Sequence, residues 1–122
     1  MKKKIFVIED CMEMCENICE LLEISGYKVQ SCNDGNLGIQ MVKEFKPDLI
    51  LCDIMMNEMD GYAVIQHLSK ELAICDIPIV MISALSEKRD IEKAKELGAK
   101  GFLVKPFEGS QLMKVVEFHL QK

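Results

Sequence analysis

The sequence predicts an α/β fold: a single doubly wound parallel sheet of five strands with helices on both faces. Short apolar runs of strand length alternate five times with longer segments whose apolar residues recur at helical spacing. Three runs, at residues 5–8, 49–52 and 79–82, contain no polar residue, which is typical of strands buried on both faces of a parallel sheet. No linker divides residues 1–122, so we expect one domain.

The first half of the chain predicts three strands and two helices. The strand at 5–8 is followed by a helix that Ser25-Gly26 ends. Residues 27–32 predict a half-polar strand near an edge of the sheet, and the third strand covers 49–53. The apolar residues of helical period are Met14, Ile18, Leu21 and Leu22 in the first helix, and Leu37, Ile39, Met41, Val42 and Phe45 in a second helix that Pro47 ends.

The second half predicts three helices and two strands. A third helix is expected from about residue 61 to 72, followed by the strand at 79–82. Ser86 is a suitable N-cap for a fourth helix, which ends at Gly98. The last strand covers 101–104 and the last helix about 110–120. The apolar faces of these helices comprise Tyr62, Val64, Ile65 and Leu68, then Ile91, Ala94 and Leu97, then Leu112, Val115, Val116 and Leu120.

Composition and charge exclude several classes of protein. The chain is 49% hydrophobic and 29% charged, as soluble globular proteins are. Its net charge of −5 argues against non-specific binding to nucleic acid, which needs a cationic surface. No apolar run has the length of a membrane span or of the core of a secretion signal. We therefore expect a cytoplasmic protein that binds neither nucleic acid nor membrane.

The six cysteines form no C-x-x-C pair, and nothing marks the chain as secreted, so a disulfide scaffold is not indicated. Cys11, Cys15 and Cys19 follow one another at intervals of four residues and would lie along one side of the first helix. We interpret them as small apolar residues at the edge of its buried face, with a thiol cluster as the alternative.

Polar side chains follow all five predicted strands, but the second strand delivers only Asn33 and Asp34, as suits a strand off to one side. The first strand delivers Glu9 and Asp10, the third Asp53, the fourth Ser83 and the fifth Lys105. Because the carboxyl ends of parallel strands meet at one edge, where α/β sheets bind ligands, we expect these side chains to lie together. Carboxylate oxygens with open positions suit Mg²⁺, which also binds phosphate oxygens.

Asp53 is the predicted reactive residue of this set. A lone aspartate after a strand is often only a loop cap, so the prediction depends on the other polar residues expected at the same edge of the sheet. A carboxylate can act as the nucleophile in phosphoryl transfer and become an acyl phosphate. Lys105 and Ser83 would then contact the phosphoryl oxygens, while Glu9 and Asp10 would hold Mg²⁺.

The set resembles the receiver domain of bacterial two-component response regulators, in order and over essentially the whole chain. The resemblance lies in Glu9-Asp10, in LCDIMMxxMDG at 51–61, in Ser83-Ala84 and in Lys105-Pro106-Phe107. It implies a flavodoxin-like sheet of strand order 2-1-3-4-5 and a cis Lys105–Pro106 bond.

The resemblance also implies roles for individual residues. Asp53 would be the phospho-acceptor, and Ser83 and Lys105 would contact the phosphate. Phe102 would be the aromatic residue that turns inward when Ser83 moves. The Mg²⁺ ligands would be Glu9, Asp10, Asp53 and the backbone carbonyl of Met55.

The implied function is that of a phosphorylation-activated signalling domain rather than a conventional enzyme. It would accept a phosphoryl group from a sensor histidine kinase or a histidine phosphotransfer protein in a Mg²⁺-dependent reaction. The surface formed by the fourth helix, the fifth strand and the fifth helix would then change, and would bind a target or a second copy of the chain as a homodimer.

Two departures from the family pattern are expected to matter. Asn57 stands where the family usually has proline, which would leave the loop after the acceptor more mobile. Met55 and Leu85 are apolar at positions that influence loss of the phosphate in the family. Because apolar side chains cannot orient an attacking water, we predict slow self-dephosphorylation.

Two other functions are compatible with the fold. A flavodoxin-like carrier of flavin or nucleotide would need a phosphate-cradling loop after the first strand, where Glu9-Asp10 stand instead. A phosphatase with an aspartate nucleophile would need a second aspartate at position 55, where this chain has methionine. His67 and His119 fall on predicted helices and are interpreted as surface or partly buried residues, not as phosphodonors.

Overall fold

The computed structural model describes residues 2–56, 60–71, 76–85 and 87–121. Its strands are β1 (Lys4–Ile8), β2 (Lys28–Cys32), β3 (Leu49–Asp53), β4 (Ile79–Ser83) and β5 (Gly101–Val104). Its helices are α1 (Met12–Ile24), α2 (Gly35–Phe45), α3 (Gly61–Ser69), α4 (Lys88–Leu97) and α5 (Gly109–Leu120). None of the described helices is long and apolar enough to cross a bilayer.

The five strands form one parallel sheet in the order β2-β1-β3-β4-β5, which confirms the predicted fold and strand order. β3 is the central strand, and all five of its residues are buried. The edge strands β2 and β5 are more exposed, as the half-polar sequence of β2 predicts.

Alternation along the strands divides the core into two layers. Ile8, Cys52 and Met81 point to one face, where α2, α3 and α4 contribute residues such as Val42, Ile65 and Ala94. Val7, Leu51 and Ile82 point to the other face, against Ile18 of α1 and Leu112 of α5. The sheet is thus doubly wound, with α1 and α5 on one side and the other three helices opposite.

The helix ends use local hydrogen bonds where the sequence offers suitable side chains. Asp34 caps α2 by accepting the backbone N–H groups of Asn36 and Leu37. Asp60 caps α3 by accepting the N–H of Ala63 at 2.9 Å. Glu108 and Gln111 form a reciprocal capping box at the start of α5.

Two predicted helix boundaries are wrong by a few residues. The N-cap of α4 is Glu87 and not Ser86, which itself lies outside the described residues. Glu87 has extended backbone, and its carboxylate accepts from Nε of Arg89 at 2.8 Å. The third helix was expected to reach residue 72, but α3 ends at Ser69, because the N–H of Lys70 bonds to the carbonyl of His67 in a closing turn.

Candidate functional site

The carboxyl ends of β1, β3, β4 and β5 bring the predicted polar side chains to one edge of the sheet. Ladder hydrogen bonds continue past the strand ends and hold these residues in place. The N–H of Glu9 donates to the carbonyl of Cys32 at 3.0 Å, and the N–H of Lys105 donates to the carbonyl of Ser83 at 2.8 Å. Lys105 precedes a cis peptide bond to Pro106, as the resemblance implied.

Three carboxylates converge at this edge. Glu9, Asp10 and Asp53 each place an oxygen within 4.8 Å of the others, and they are the one such group of potential metal ligands among the described residues. Glu9 is fully buried and Asp53 is 4% exposed. Negative charges that are close together and largely buried repel one another. The cluster therefore favours the binding of a cation among the three carboxylates.

Lys105 supplies part of that positive charge. Its Nζ lies 2.9 Å from Oε1 of Glu9 and 3.4 Å from Oδ2 of Asp53. Burial alone would lower the pKa of Lys105, but the hydrogen bond to Glu9 and the charge of Asp53 outweigh it and raise the pKa. The ammonium therefore stays charged and bridges two of the three carboxylates.

The surroundings of Asp53 raise the pKa of its carboxyl group. Burial and the hydrogen-bonded, charged Glu9 raise the pKa of Asp53 to about 7, although Lys105 and the N–H of Met55 act in the opposite direction. That N–H donates to Oδ1 of Asp53 at 3.3 Å. In the absence of a further cation, Asp53 is thus a carboxyl group poised to lose its proton near neutral pH.

Ser83 ends β4 beside Asp53 and is 1% exposed. Its Oγ accepts the backbone N–H of Leu85 at 3.0 Å, which fixes the turn that begins directly after β4. The hydroxyl proton is available for an acceptor because this contact uses only the oxygen lone pair.

Gly61 is a site residue that sequence reasoning did not single out. A methyl group at Gly61 would press on the carbonyl oxygen of Asp53 and on the Cα of Ile54, which are rigid backbone atoms. The N–H of Gly61 also bonds to the carbonyl of Ile54. An Asp-Gly pair such as Asp60-Gly61 is typical of a turn, but the closeness of this turn to Asp53 is a tertiary feature that the sequence does not predict.

The other predicted residues occupy separate places. Phe102 is half-buried and packs against the core layer under α2, α3 and α4. Cys52 points into that same layer, away from the acidic cluster, as expected of the neighbour of Asp53. The side chain of Met55 is 62% exposed. Asn57, which was expected to make the following loop more mobile, lies outside the described residues.

The two histidines lie on helices and not among the carboxylates. His67 is exposed on α3, with Nε2 3.8 Å from Glu71. His119 is partly buried on α5, and its ring nitrogens face the carbonyl oxygens of Val115 and Lys100. Both positions agree with the prediction of surface or partly buried residues.

Comparison with known proteins identifies the same family by its sequence profile and by individual relatives. The profile of the response regulator receiver domain matches residues 5–117. A probable transcriptional regulator, ycf27, from Porphyridium aerugineum is 40% identical over 111 residues, which are 91% of this chain and 45% of that protein. The chain spans about half the length of the curated relatives it matches.

Solved structures share the fold. The chemotaxis protein CheY4 of Vibrio cholerae superposes with a TM-score of 0.95 at 24% identity, over 98% of this chain and all of that one (100%). The receiver domain of the sensor histidine kinase PA1611 from Pseudomonas aeruginosa PAO1 has a TM-score of 0.89 at 23% identity, over 98% of each chain. That second structure is described with a magnesium ion coordinated in its active site cleft.

Proposed function

Because this chain belongs to the response regulator receiver domain family, we propose that it is a phosphorylation-activated signalling domain whose acceptor is Asp53. The phosphoryl donor is the phosphohistidine of a sensor histidine kinase or of a histidine phosphotransfer protein. Family membership makes the flavin carrier and the phosphatase unnecessary as explanations of the site.

The observation that carries the proposal is the setting of Asp53. Its carboxyl group ends a fully buried central strand, its pKa is raised to about 7, and Lys105 lies 3.4 Å away. In the reaction, an oxygen of the Asp53 carboxylate forms a bond to phosphorus while the P–N bond of the donor breaks. The imidazole nitrogen of the donor then takes up a proton from solvent, and the product is an acyl phosphate.

The donor set fits Mg²⁺, since hard carboxylate oxygens at one open edge are the ligands this ion prefers. Glu9, Asp10, Asp53 and the backbone carbonyl of Met55 would hold it. When bound, the ion supplies positive charge that favours the deprotonated form of Asp53 and offsets charge on the phosphoryl oxygens.

Lys105 and Ser83 are the proposed phosphate contacts. The Lys105 ammonium would exchange part of its contact with Glu9 for a phosphoryl oxygen, since that oxygen carries more charge than the carboxylate it joins. The Ser83 hydroxyl would donate its free proton to another oxygen. Both residues are backbone neighbours across β4 and β5, so one movement would serve both.

The switch would follow from that movement. A pull on Ser83 shifts the loop at 84–85, and the half-buried Phe102 of β5 can then pack further inward. The surface of α4, β5 and α5 would thereby change between two populations and bind a target or a second copy of the chain. We place these events in the cytoplasm, with no direct contact between this chain and nucleic acid.

Dephosphorylation is proposed to be slow. Leu85 is half-buried against the core and Met55 is apolar and exposed, so neither would position a water for attack on the acyl phosphate. The chain would thus form its phosphate and lose it only gradually, without acting as an enzyme on other substrates.

The direct test is phosphorylation by a small-molecule phosphodonor with Mg²⁺, followed by intact mass spectrometry. We expect the wild-type protein to gain one phosphoryl group and Asp53→Asn to gain none, because the amide is not a nucleophile. Asp48→Asn is the matched control at the opposite edge of the sheet and should be phosphorylated normally.

Two results would contradict the proposal. One is phosphorylation of Asp53→Asn to the same extent as the wild type. The other, which concerns dephosphorylation alone, is loss of the phosphoryl group within seconds after the phosphodonor is removed.

A further inference from the structure

A cavity of about 430 Å³ opens at the carboxyl end of β2, and residues of α1 and α2 complete its lining. Of the described residues that line it, Glu9 alone also belongs to the acidic cluster at Asp53. The N–H of Glu9 donates to the carbonyl of Cys32 at 3.0 Å and joins the ends of β1 and β2 at this place. The volume lies within the range of about 300–1,000 Å³ that is usual for sites that bind small molecules.

The two helices give the cavity an apolar lining. Met12 and Cys15 come from α1, and Leu37 and Met41 come from α2; the spacing of three and four residues places each pair on one side of its helix. Cys15 packs against the core layer under α1 and α5, which agrees with its interpretation as an apolar residue at the helix edge. Met12 is 66% exposed and Leu37 is 54% exposed, so both offer apolar surface that a ligand could cover.

Acidic side chains supply the charge of the cavity. Among the described residues that line it, the two charged side chains are Glu9 and Glu16, and none is a lysine, an arginine or a histidine. The carboxylate of Glu9 is already bound, since its oxygens accept from Nζ of Lys105 at 2.9 Å and from the N–H of Cys11 at 3.2 Å. Glu16 is exposed and forms no salt bridge with any residue that the structure describes. The cavity therefore repels an anion and attracts a cation.

Two polar side chains add hydrogen-bond acceptors to the same lining. Ser31 and Asn33 are both exposed at the end of β2, and their hydroxyl and amide oxygens can accept N–H groups. An inorganic ion would satisfy Glu16 but would leave the apolar lining in contact with water. An organic cation covers the apolar lining and meets the carboxylate at the same time.

We propose that this cavity binds a small organic ammonium ion. The apolar body of the ligand contacts Met12 and Leu37, and its ammonium group binds to Glu16 with Ser31 and Asn33 as further acceptors. No covalent step is involved. The site is separate from the acidic cluster except for Glu9, and binding needs no phosphoryl group on Asp53.

The test is a titration of the whole chain followed by amide NMR spectroscopy, at about pH 7 and low ionic strength. The probes are phenethylammonium, phenethyl alcohol and phenylacetate, which differ chiefly in charge. We expect phenethylammonium to shift signals of residues 12–16, 31–33 and 37–41, with a dissociation constant in the millimolar range. The alcohol should bind about fivefold more weakly, the scale of one partly exposed charge pair, and phenylacetate more weakly still.

Substitution of Glu16 separates charge from shape. Glu16→Gln should weaken the binding of phenethylammonium to that of the alcohol, about fivefold, and leave the binding of the alcohol unchanged. Glu20→Gln is the matched control, because Glu20 is exposed one turn further along α1 and does not line the cavity. It should bind all three probes as the wild type does.

Substitution of Leu37 tests the apolar part of the site. Leu37→Ala should weaken the binding of phenethylammonium and of the alcohol by the same factor, about threefold or more, because both lose the same apolar contact. Ile24→Ala is the control: Ile24 is 76% exposed at the end of α1, away from the cavity. It should leave both affinities unchanged.

Three outcomes would overturn the proposal. The first is equal affinity of the wild type for phenethylammonium and phenethyl alcohol. The second is a preference for the ammonium that survives in Glu16→Gln. The third is that none of the probes shifts the signals of the lining residues, which would leave this surface to a macromolecular partner.

Discussion

A lysine and an aspartate stand at each end of the parallel sheet, but the two pairs have different surroundings. At the edge where the strands begin, Nζ of Lys4 donates to the carbonyl oxygen of Phe45 at 2.8 Å and lies 5.2 Å from the centre of its ring. Asp48 accepts the backbone N–H of Lys4 at 2.7 Å. Lys4 and Asp48 thus meet backbone groups and an aromatic ring, which makes their contacts structural ones.

At the opposite edge, Lys105 faces Glu9 and Asp53, and Asp10 completes the acidic cluster. The ammonium of Lys105 contacts two of the three carboxylates, so the cluster keeps a surplus of negative charge. The comparison shows that the same two residue types build a closed contact where their charges are balanced. Where one lysine faces three carboxylates, the surplus negative charge favours the binding of a further cation.

Replacement of the two lysines should give the largest difference in stability. In the absence of divalent cations at about pH 8, Lys105→Met should lower the free energy of unfolding by about 2–3 kcal/mol, because it leaves two buried carboxylates without their counter-charge. Lys4→Met should lower it by about 1 kcal/mol, the worth of a hydrogen bond and a ring contact. Urea unfolding measures both.

The loss in Lys105→Met should shrink at about pH 5, where Asp53, whose pKa is raised to about 7, takes up a proton, and also in excess Mg²⁺. Equal losses in the two lysine variants under all conditions would show that the two edges do not differ in charge balance.

Replacement of a glycine should be next in size. Gly61→Ala should lower the free energy of unfolding by about 2 kcal/mol, because its methyl group has only rigid backbone to displace, and it should slow phosphorylation of Asp53. Gly109→Ala is the control: its methyl group would lie 3.6 Å from Leu21, an ordinary contact, and the change should stay within about 0.5 kcal/mol. Phosphorylation of Gly61→Ala at the wild-type rate would show that the close approach at Asp53 has no role in the site.

The smallest expected effect is a pH dependence. Because the pKa of Asp53 is raised to about 7 in the folded protein, from about 4 in an unfolded chain, the folded state holds the extra proton between these values. Stability from this group is therefore full below about pH 4 and is lost as pH rises to about 7.

Asparagine cannot titrate, so Asp53→Asn should gain stability over the wild type between about pH 5 and pH 8, by about 1–2 kcal/mol in metal-free buffer. Urea unfolding at both pH values measures the difference, with Asp48→Asn in parallel. A constant difference between Asp53→Asn and the wild type across this range would contradict the raised pKa.

The sequence was informative wherever chain order alone determines position. Fully apolar runs such as residues 49–52 identify buried strands, and the carboxyl ends of parallel strands must share an edge. The sequence therefore predicts that Glu9, Asp53 and Lys105 lie together, although they are far apart in the chain.

The details that the sequence did not predict depend on side-chain packing and tertiary contact. Nζ of Lys105 lies nearer to the carboxylate of Glu9, at 2.9 Å, than to that of Asp53, at 3.4 Å. Which of two carboxylates at one edge lies closer depends on the side-chain rotamers, which the sequence does not predict. The closeness of Gly61 to the backbone of Asp53 depends on how a loop returns to the sheet. The first residue of α4 was misplaced because adjacent serine and glutamate can both precede a helix.

The position of β3 has a mechanical consequence. Because β3 has a neighbouring strand on both sides and helices above and below, we expect it to yield less than an edge strand when Asp53, the proposed acceptor, gains a phosphoryl group. Lys105, by contrast, extends from β5, which has a free edge and few buried residues. Attraction between a phosphoryl group on Asp53 and Lys105 should therefore move β5 more than β3. A partner bound at this edge of the sheet would detect that movement.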